Sequence, residues 1–172
     1  MAVAPCRPIL GELVTSSAQE ALVLSDLVPE TVVEEGRYWT IAVNLNQNLI
    51  GRLILVLNRN AEAVTAVSSP EWSDLHREIA RTRHVLNAMF QPDQYNYAFL
   101  MNQAAQVHLH VVPRYADQRT WSGAQFDDIH YGELFGPEQR ILPTDQLARL
   151  ATEIRRRLPS TGEQHRLRGS AE

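Results

Sequence analysis

Two segments, Tyr95–Met101 and Gln106–Val112, have the make-up of β-strands, and only Asn102 to Ala105 separate them. Parallel strands need a crossover of about a dozen residues or more, so this short link dictates an antiparallel hairpin. The second segment also fixes its own facing. In Gln106-Val107-His108-Leu109-His110-Val111-Val112-Pro113-Arg114-Tyr115, apolar and polar residues alternate. Successive side chains of a strand point to opposite faces. Val107, Leu109 and Val111 are therefore expected in a core. Gln106, His108 and His110 line the other face, with same-face neighbours roughly 6–7 Å apart.

The rest of the chain supplies partners for that hairpin. Arg37 to Val43 is rich in aromatic and β-branched residues and reads as a strand. Leu45 to Ile50 holds three Asn or Gln residues and reads as a turn. Gly51 opens Leu53-Ile54-Leu55-Val56-Leu57, a continuous apolar run that suits a strand covered on both faces. Ser69-Pro70-Glu71 reads as a helix start, with Ser69 as the cap. Trp72, Leu75, Ile79, Leu86 and Phe90 follow at helical spacing, and Pro92 marks the end. Thr144 is expected to cap a second helix over Asp145 to Leu158, with Arg155-Arg156-Arg157 near its negative end.

Strand, strand, helix, strand, strand, helix is an α+β order. At 172 residues the chain is expected to form one domain, residues 31–158. Residues 1–30 read as an extension punctuated by Pro5, Pro8 and Pro29, with a short helix over Ala18 to Leu24. Residues 159–172 read as a disordered tail. Ala116 to Pro143 reads as a long loop, unusual unless it is functional or clamped. Its Trp121, Phe126 and Phe135 are expected to pack over the sheet or a partner subunit and limit access to the site.

Composition narrows the chemistry. A net charge of −4 argues against a dedicated nucleic-acid binder. Cys6 stands alone, which excludes an intrachain disulfide framework and a C-x-x-C zinc site. No apolar run is long enough to span a membrane, and no basic start precedes an apolar stretch, so a cytoplasmic place is expected. All sixteen basic residues are arginine. The absence of lysine removes Schiff-base chemistry, lysine adenylylation and the P-loop lysine. No G-x-S-x-G elbow is present. Histidine becomes the leading nucleophile.

His108 and His110 then admit three readings. They are ordinary strand residues, or two ligands of a metal, or the machinery of phosphoryl or nucleotidyl transfer. The metal reading needs a third ligand, and the motif itself offers no Asp, Glu or Cys; Asp117 and Asp127 lie in the loop.

The segment Gln106-Val-His108-Leu-His110-Val-Val112-Pro113-Arg114 resembles the signature of the histidine triad superfamily: three histidines alternating with apolar residues, then often Pro-Arg. Asn44, seven residues before Gly51 and its apolar strand, is similar to the family's ribose-contacting asparagine and glycine-led strand. The resemblance covers about Arg37 to Tyr115, roughly half of the chain. It implies an antiparallel sheet of about five strands with two main helices, a homodimer, a nucleotide ligand and no metal or other cofactor.

It also implies a mechanism. His108 would attack the α-phosphorus and form a nucleotidyl-histidine intermediate, its second ring nitrogen bonded to the carbonyl of Gln106. His110 would contact the phosphate and help protonate the leaving group. Asn44 would hold the ribose, and Asn102 and Arg52 would lie near the phosphate. Water would then release a nucleoside monophosphate, from phosphoramidates or dinucleoside polyphosphates. The chain departs from the pattern at Gln106, where the first histidine is missing. Arg52 replaces a histidine common after the glycine, and Asn102-Gln103-Ala104-Ala105 lacks the family's glycine and hydroxyl. These departures motivate a second reading, a nucleotide sensor that keeps the pocket without efficient turnover.

Overall fold

The computed structural model describes residues 27–102 and 104–160. The short helix expected over Ala18 to Leu24, nearly all of the extension and the tail from 161 onward lie outside the described residues. A 3-10 turn, Pro29–Thr31, leads into β1 (Val32–Glu35), β2 (Trp39–Val43) and β3 (Leu53–Leu57). Then come α1 (Ser69–Phe90), β4 (Gln94–Ala98) and β5 (His108–Arg114). A small hairpin, β6 (Arg119–Trp121) and β7 (Ala124–Phe126), precedes α2 (Thr144–Arg157).

The five-stranded sheet runs β1-β2-β3-β5-β4 with every neighbouring pair antiparallel. The α+β class and the count of strands and helices match the expectation. Its register explains the alternation in β5. Leu53 pairs with Val111 and Leu55 with Leu109, while Ile54 pairs with His110 and Val56 with His108. Directly opposed residues share a face. One face therefore carries Trp39, Ile41, Val43, Leu53, Leu55, Leu57, Leu109 and Val111, joined with Val107 in the main core. Leu75, Val85, Leu86 and Phe90 of α1 and Leu147, Leu150, Ala151 and Ile154 of α2 close that core. The opposite face carries Ala42, Ile54 and Val56, packed with Leu27, beside the two histidines. β3 is thus buried on both sides, as its unbroken apolar run required.

Several boundaries differ from the sequence expectation. The cap of α1 is Ser68, with Ser69 as the first helical residue. Glu71 closes a capping box, accepting from the Ser68 backbone N–H at 2.7 Å and its hydroxyl at 2.8 Å. α2 starts at Thr144 itself, behind Pro143, and no side chain caps it. The strand expected from Arg37 begins at Trp39, and β1, unmarked by strong alternation, lies ahead of it. β4 ends at Ala98, so residues 99–107 form the connection to β5. The stretch from Ala116 to Pro143 is not all loop, since it contains the β6–β7 hairpin. Trp121 and Phe126 of that hairpin enter the main core.

Gly51 is fixed by two demands. Its φ of 87° lies in the left-handed region, and a Cβ there would meet Phe90 at 3.0 Å and Leu86 at 3.1 Å.

Candidate functional site

The site is built on the sheet face away from the helices. Gln106 is anchored first: its side-chain Nε2 donates to the carbonyl of Leu57, the last residue of β3, at 2.5 Å. The backbone carbonyl of Gln106 then lies 2.7 Å from Nδ1 of His108. A carbonyl only accepts, so Nδ1 carries the proton and the lone pair of the neutral ring sits on Nε2. That Nε2 is buried and meets no hydrogen-bond partner among the described residues. His108 has 0% exposure. An unpartnered buried acceptor is costly unless a function uses it.

His110 lies edge-on to His108, with ring centroids 5.0 Å apart and planes at 74°. Its Nδ1 faces Nδ2 of Asn44 at 3.4 Å. The Asn44 amide is not free to turn, because its Oδ1 accepts the backbone N–H of Asn46 at 2.9 Å. The amide nitrogen therefore faces His110, donates to Nδ1 and leaves the imidazole proton on Nε2. The two rings hold opposite tautomers: His108 presents a lone pair at Nε2 and His110 a donor. Burial, reinforced by His108 and the Arg52 cation, pushes the His110 pKa down to about 3. His110 is thus neutral at neutral pH.

The loop joining β2 to β3 holds this arrangement by a chain of Asn turns. The backbone N–H of Asn48 donates to Oδ1 of Asn46 at 3.0 Å, repeating the Asn46-to-Asn44 bond. Gln47, fully buried, donates to the carbonyls of Asn44 and Arg52 and accepts the N–H of Gly51. Arg52 immediately precedes β3 and, by strand alternation, shares the face of Ile54 and His110. Its Nη1 donates to Oδ1 of Asn48 at 2.6 Å.

Residues 128–141 wall the site. Arg114 grips Asp128 through Nε at 2.6 Å and Nη2 at 3.0 Å, and its guanidinium also donates to Asn96 and to the carbonyls of His130 and Glu133. Asn46 meets the carbonyl of Glu138 and the N–H of Arg140. Phe135 comes between these anchors, its ring centroid 5.7 Å from the Arg52 guanidinium carbon.

Four of the residues marked from sequence beside His108 thus gather around it: Gln106, His110, Asn44 and, next to His110, Arg52. Asn102 does not join them; it is exposed on the 99–107 connection, with no hydrogen bond to either histidine among the described residues. Sequence reasoning missed Asn46, Asn48 and the Arg114–Asp128 grip. The Asn-x-Asn-x-Asn spacing of 44, 46 and 48 was the available signal for the first two. Among the described residues, no group of three His, Cys, Asp or Glu side chains stands together as a metal would require. No helix among the described residues is long and apolar enough to cross a membrane.

A five-stranded antiparallel sheet with its paired histidines on β5 and both helices on the far face is the histidine triad fold. The chain is similar to a histidine triad protein of Bradyrhizobium japonicum, at 18% identity and a TM-score of 0.58, over 74% of this chain and 90% of that one. It is similar also to a histidine triad nucleotide-binding protein of Sulfolobus tokodaii, at 10% identity and 0.60, over 74% and 83% of the two chains. A third is the diadenosine triphosphate hydrolase of Plasmodium falciparum, at 15% identity and 0.55, over 76% and 77%. No protein-family model matches the sequence, and no curated protein matches it by sequence.

Proposed function

We propose that the protein is a nucleotide hydrolase or nucleotidyl transferase that works through His108. The observation that carries this reading is the His108 ring: Nδ1 tied to the Gln106 carbonyl, Nε2 lone pair buried and unpartnered. That is the tautomer a phosphorus-attacking imidazole needs. Nε2 bonds to the α-phosphorus, the bond to the leaving group breaks, and the imidazolium so formed is held by the Gln106 carbonyl. Water then displaces His108 and releases the nucleoside monophosphate. Gln106 fulfils its part through its backbone, so the missing imidazole at this position does not remove the tautomer. His110 donates from Nε2 to a phosphate oxygen. Asn44 holds His110 in place, and its remaining hydrogen-bonding capacity suits a ribose hydroxyl. The fold shared with a diadenosine triphosphate hydrolase supports the class of reaction.

The closed setting of His108 favours a second reading, a nucleotide sensor without turnover. A homodimer accompanies either reading, supported by β4 at the sheet edge with Tyr97 and Leu100 exposed beside it.

The deciding experiment incubates wild type and His108→Ala with adenosine phosphoramidates and dinucleoside polyphosphates. AMP release that needs His108 is expected. Release unchanged in the variant overturns the catalytic role, and calorimetric nucleotide binding without any turnover selects the sensor.

A further inference from the structure

Asn46 stands where two parts of the molecule meet. On one side, its backbone N–H donates to Oδ1 of Asn44 at 2.9 Å, and the Asn44 amide faces Nδ1 of His110 at 3.4 Å. On the other, its side chain holds the returning end of the wall segment. Nδ2 donates to the carbonyl of Glu138 at 3.0 Å, and Oδ1 accepts the N–H of Arg140 at 2.9 Å. The N–H of the adjacent Gln47 donates to the Arg140 carbonyl at 2.8 Å, and Asn46 lies opposite Ile141 in an antiparallel bridge. The other end of the wall is held separately, by Arg114 on Asp128.

The choice of an amide at position 46 needs the wall to explain it. The turn into Asn48 uses Oδ1 alone, which accepts the Asn48 N–H at 3.0 Å. An Asp serves such a turn equally well. Only the Glu138 carbonyl, 92 residues away, calls for the donor that Asn carries and Asp lacks.

We infer that Asn46 is a positioning residue that couples the wall to His110: the 138–141 return, acting through the Asn46 side chain, fixes the Asn44 amide and with it the His110 tautomer that presents a donor to the site. The inference rests on the role given to His110 above and extends it to a residue that bonds to neither histidine. With the return in place, the Asn46 N–H occupies Oδ1 of Asn44 and leaves Nδ2 toward His110. With the return displaced, Asn46 is no longer held, and the Asn44 amide is free to turn end for end. Its oxygen then accepts from Nδ1 of His110. The imidazole proton moves from Nε2 to Nδ1 through solvent, and Nε2 offers a phosphate oxygen a lone pair in place of a donor.

The test reads nitrogen-15 imidazole spectra at neutral pH together with kcat/KM for diadenosine triphosphate. In Asn46→Ala, His110 is expected to show both tautomers while His108 keeps its proton on Nδ1. The expected fall in kcat/KM is about fivefold to tenfold, the scale of one lost hydrogen bond. Because the effect passes through Asn44, adding Asn46→Ala to Asn44→Ala is expected to move neither readout further. Arg140→Pro deletes the N–H that Asn46 accepts, and Arg140→Ala controls for the lost side chain. The Pro variant is expected to mix the His110 tautomers and the Ala variant to leave them as in wild type. An unchanged His110 spectrum in Asn46→Ala, or additive losses in the double variant, overturns the inference. Arg140→Pro behaving as Arg140→Ala also overturns it, since His110 would then be set by the 44–48 turn alone. If Asn46→Ala does not fold in a circular dichroism melt, the Arg140 pair decides by itself. The spectra need no turnover, so a protein without hydrolase activity removes the His108 reading and leaves the coupling to be decided by the tautomers.

Discussion

Arg114 and Asp128 form a two-pronged ion pair with both side chains 2% exposed. The pair ties the end of β5, which carries the histidines, to the segment that presents Phe135 to Arg52. Burial alone would raise the Asp128 carboxyl, but the Arg114 hydrogen bond and charge bring it below its ordinary value. Removing one member of a buried pair strands the other, at a cost of about 3–5 kcal/mol. Arg114→Ala is therefore expected to lower stability by about that amount in urea denaturation. A loss below about 1 kcal/mol would mean that the pair does not hold the loop.

His108→Ala is expected to abolish the histidine-dependent release of AMP, a loss of about 10³-fold or more for a nucleophile. Gln106→Ala keeps the backbone carbonyl and removes the tie to Leu57. Its activity is expected to stay within about tenfold of wild type, since one hydrogen bond contributes about 1 kcal/mol. Steady-state kinetics on one substrate checks both variants. A Gln106→Ala loss as large as that of His108→Ala would show that the side chain takes part directly.

Gly51→Ala meets two obstacles at once, a positive φ and contacts near 3 Å with Leu86 and Phe90. The expected loss is about 1–3 kcal/mol in thermal or chemical denaturation. A variant as stable as wild type would show that the turn into β3 relaxes freely.

Much of this was legible in the sequence because alternation and chain connectivity are local. The short link after Met101 forced the hairpin, and Val107-Leu109-Val111 against Gln106-His108-His110 assigned the two faces. The linker after β4 is longer than expected because Phe99 leaves the ladder despite its strand-like character. What the sequence hid depends on contacts between distant segments. Arg114 finds Asp128 across a loop, and Asn46 reads as a turn residue until Glu138 and Arg140 close on it. Ser68 displaced Ser69 as the cap because only residue 68 lies three before Glu71, the spacing of a capping box.

The His110 pKa of about 3 sets a pH dependence of stability. The ordinary value for an unfolded histidine is about 6.5. Between those values the unfolded chain binds a proton at this position and the folded chain does not. Stability therefore rises with pH through that window and is lost as pH falls from about 6.5 toward 3. His110→Asn is expected to flatten this part of the curve. Denaturant midpoints at pH 7, 6 and 5 for both proteins provide the check. Parallel curves would place the His110 proton equilibrium near its ordinary value.

Opposite tautomers on adjacent histidines are open to direct observation. Nδ1 of His108 faces an acceptor that holds no proton, and Nδ1 of His110 faces an amide whose orientation Asn46 fixes. Nitrogen-15 spectra of the imidazoles at neutral pH are expected to show His108 protonated at Nδ1 and His110 at Nε2. Asn44→Ala removes the donor to His110 and is expected to mix the His110 tautomers while leaving those of His108 unchanged. Finding His108 protonated at Nε2 would sink the nucleophile assignment, because the lone pair would then point at the Gln106 carbonyl and no reactive nitrogen would face the site.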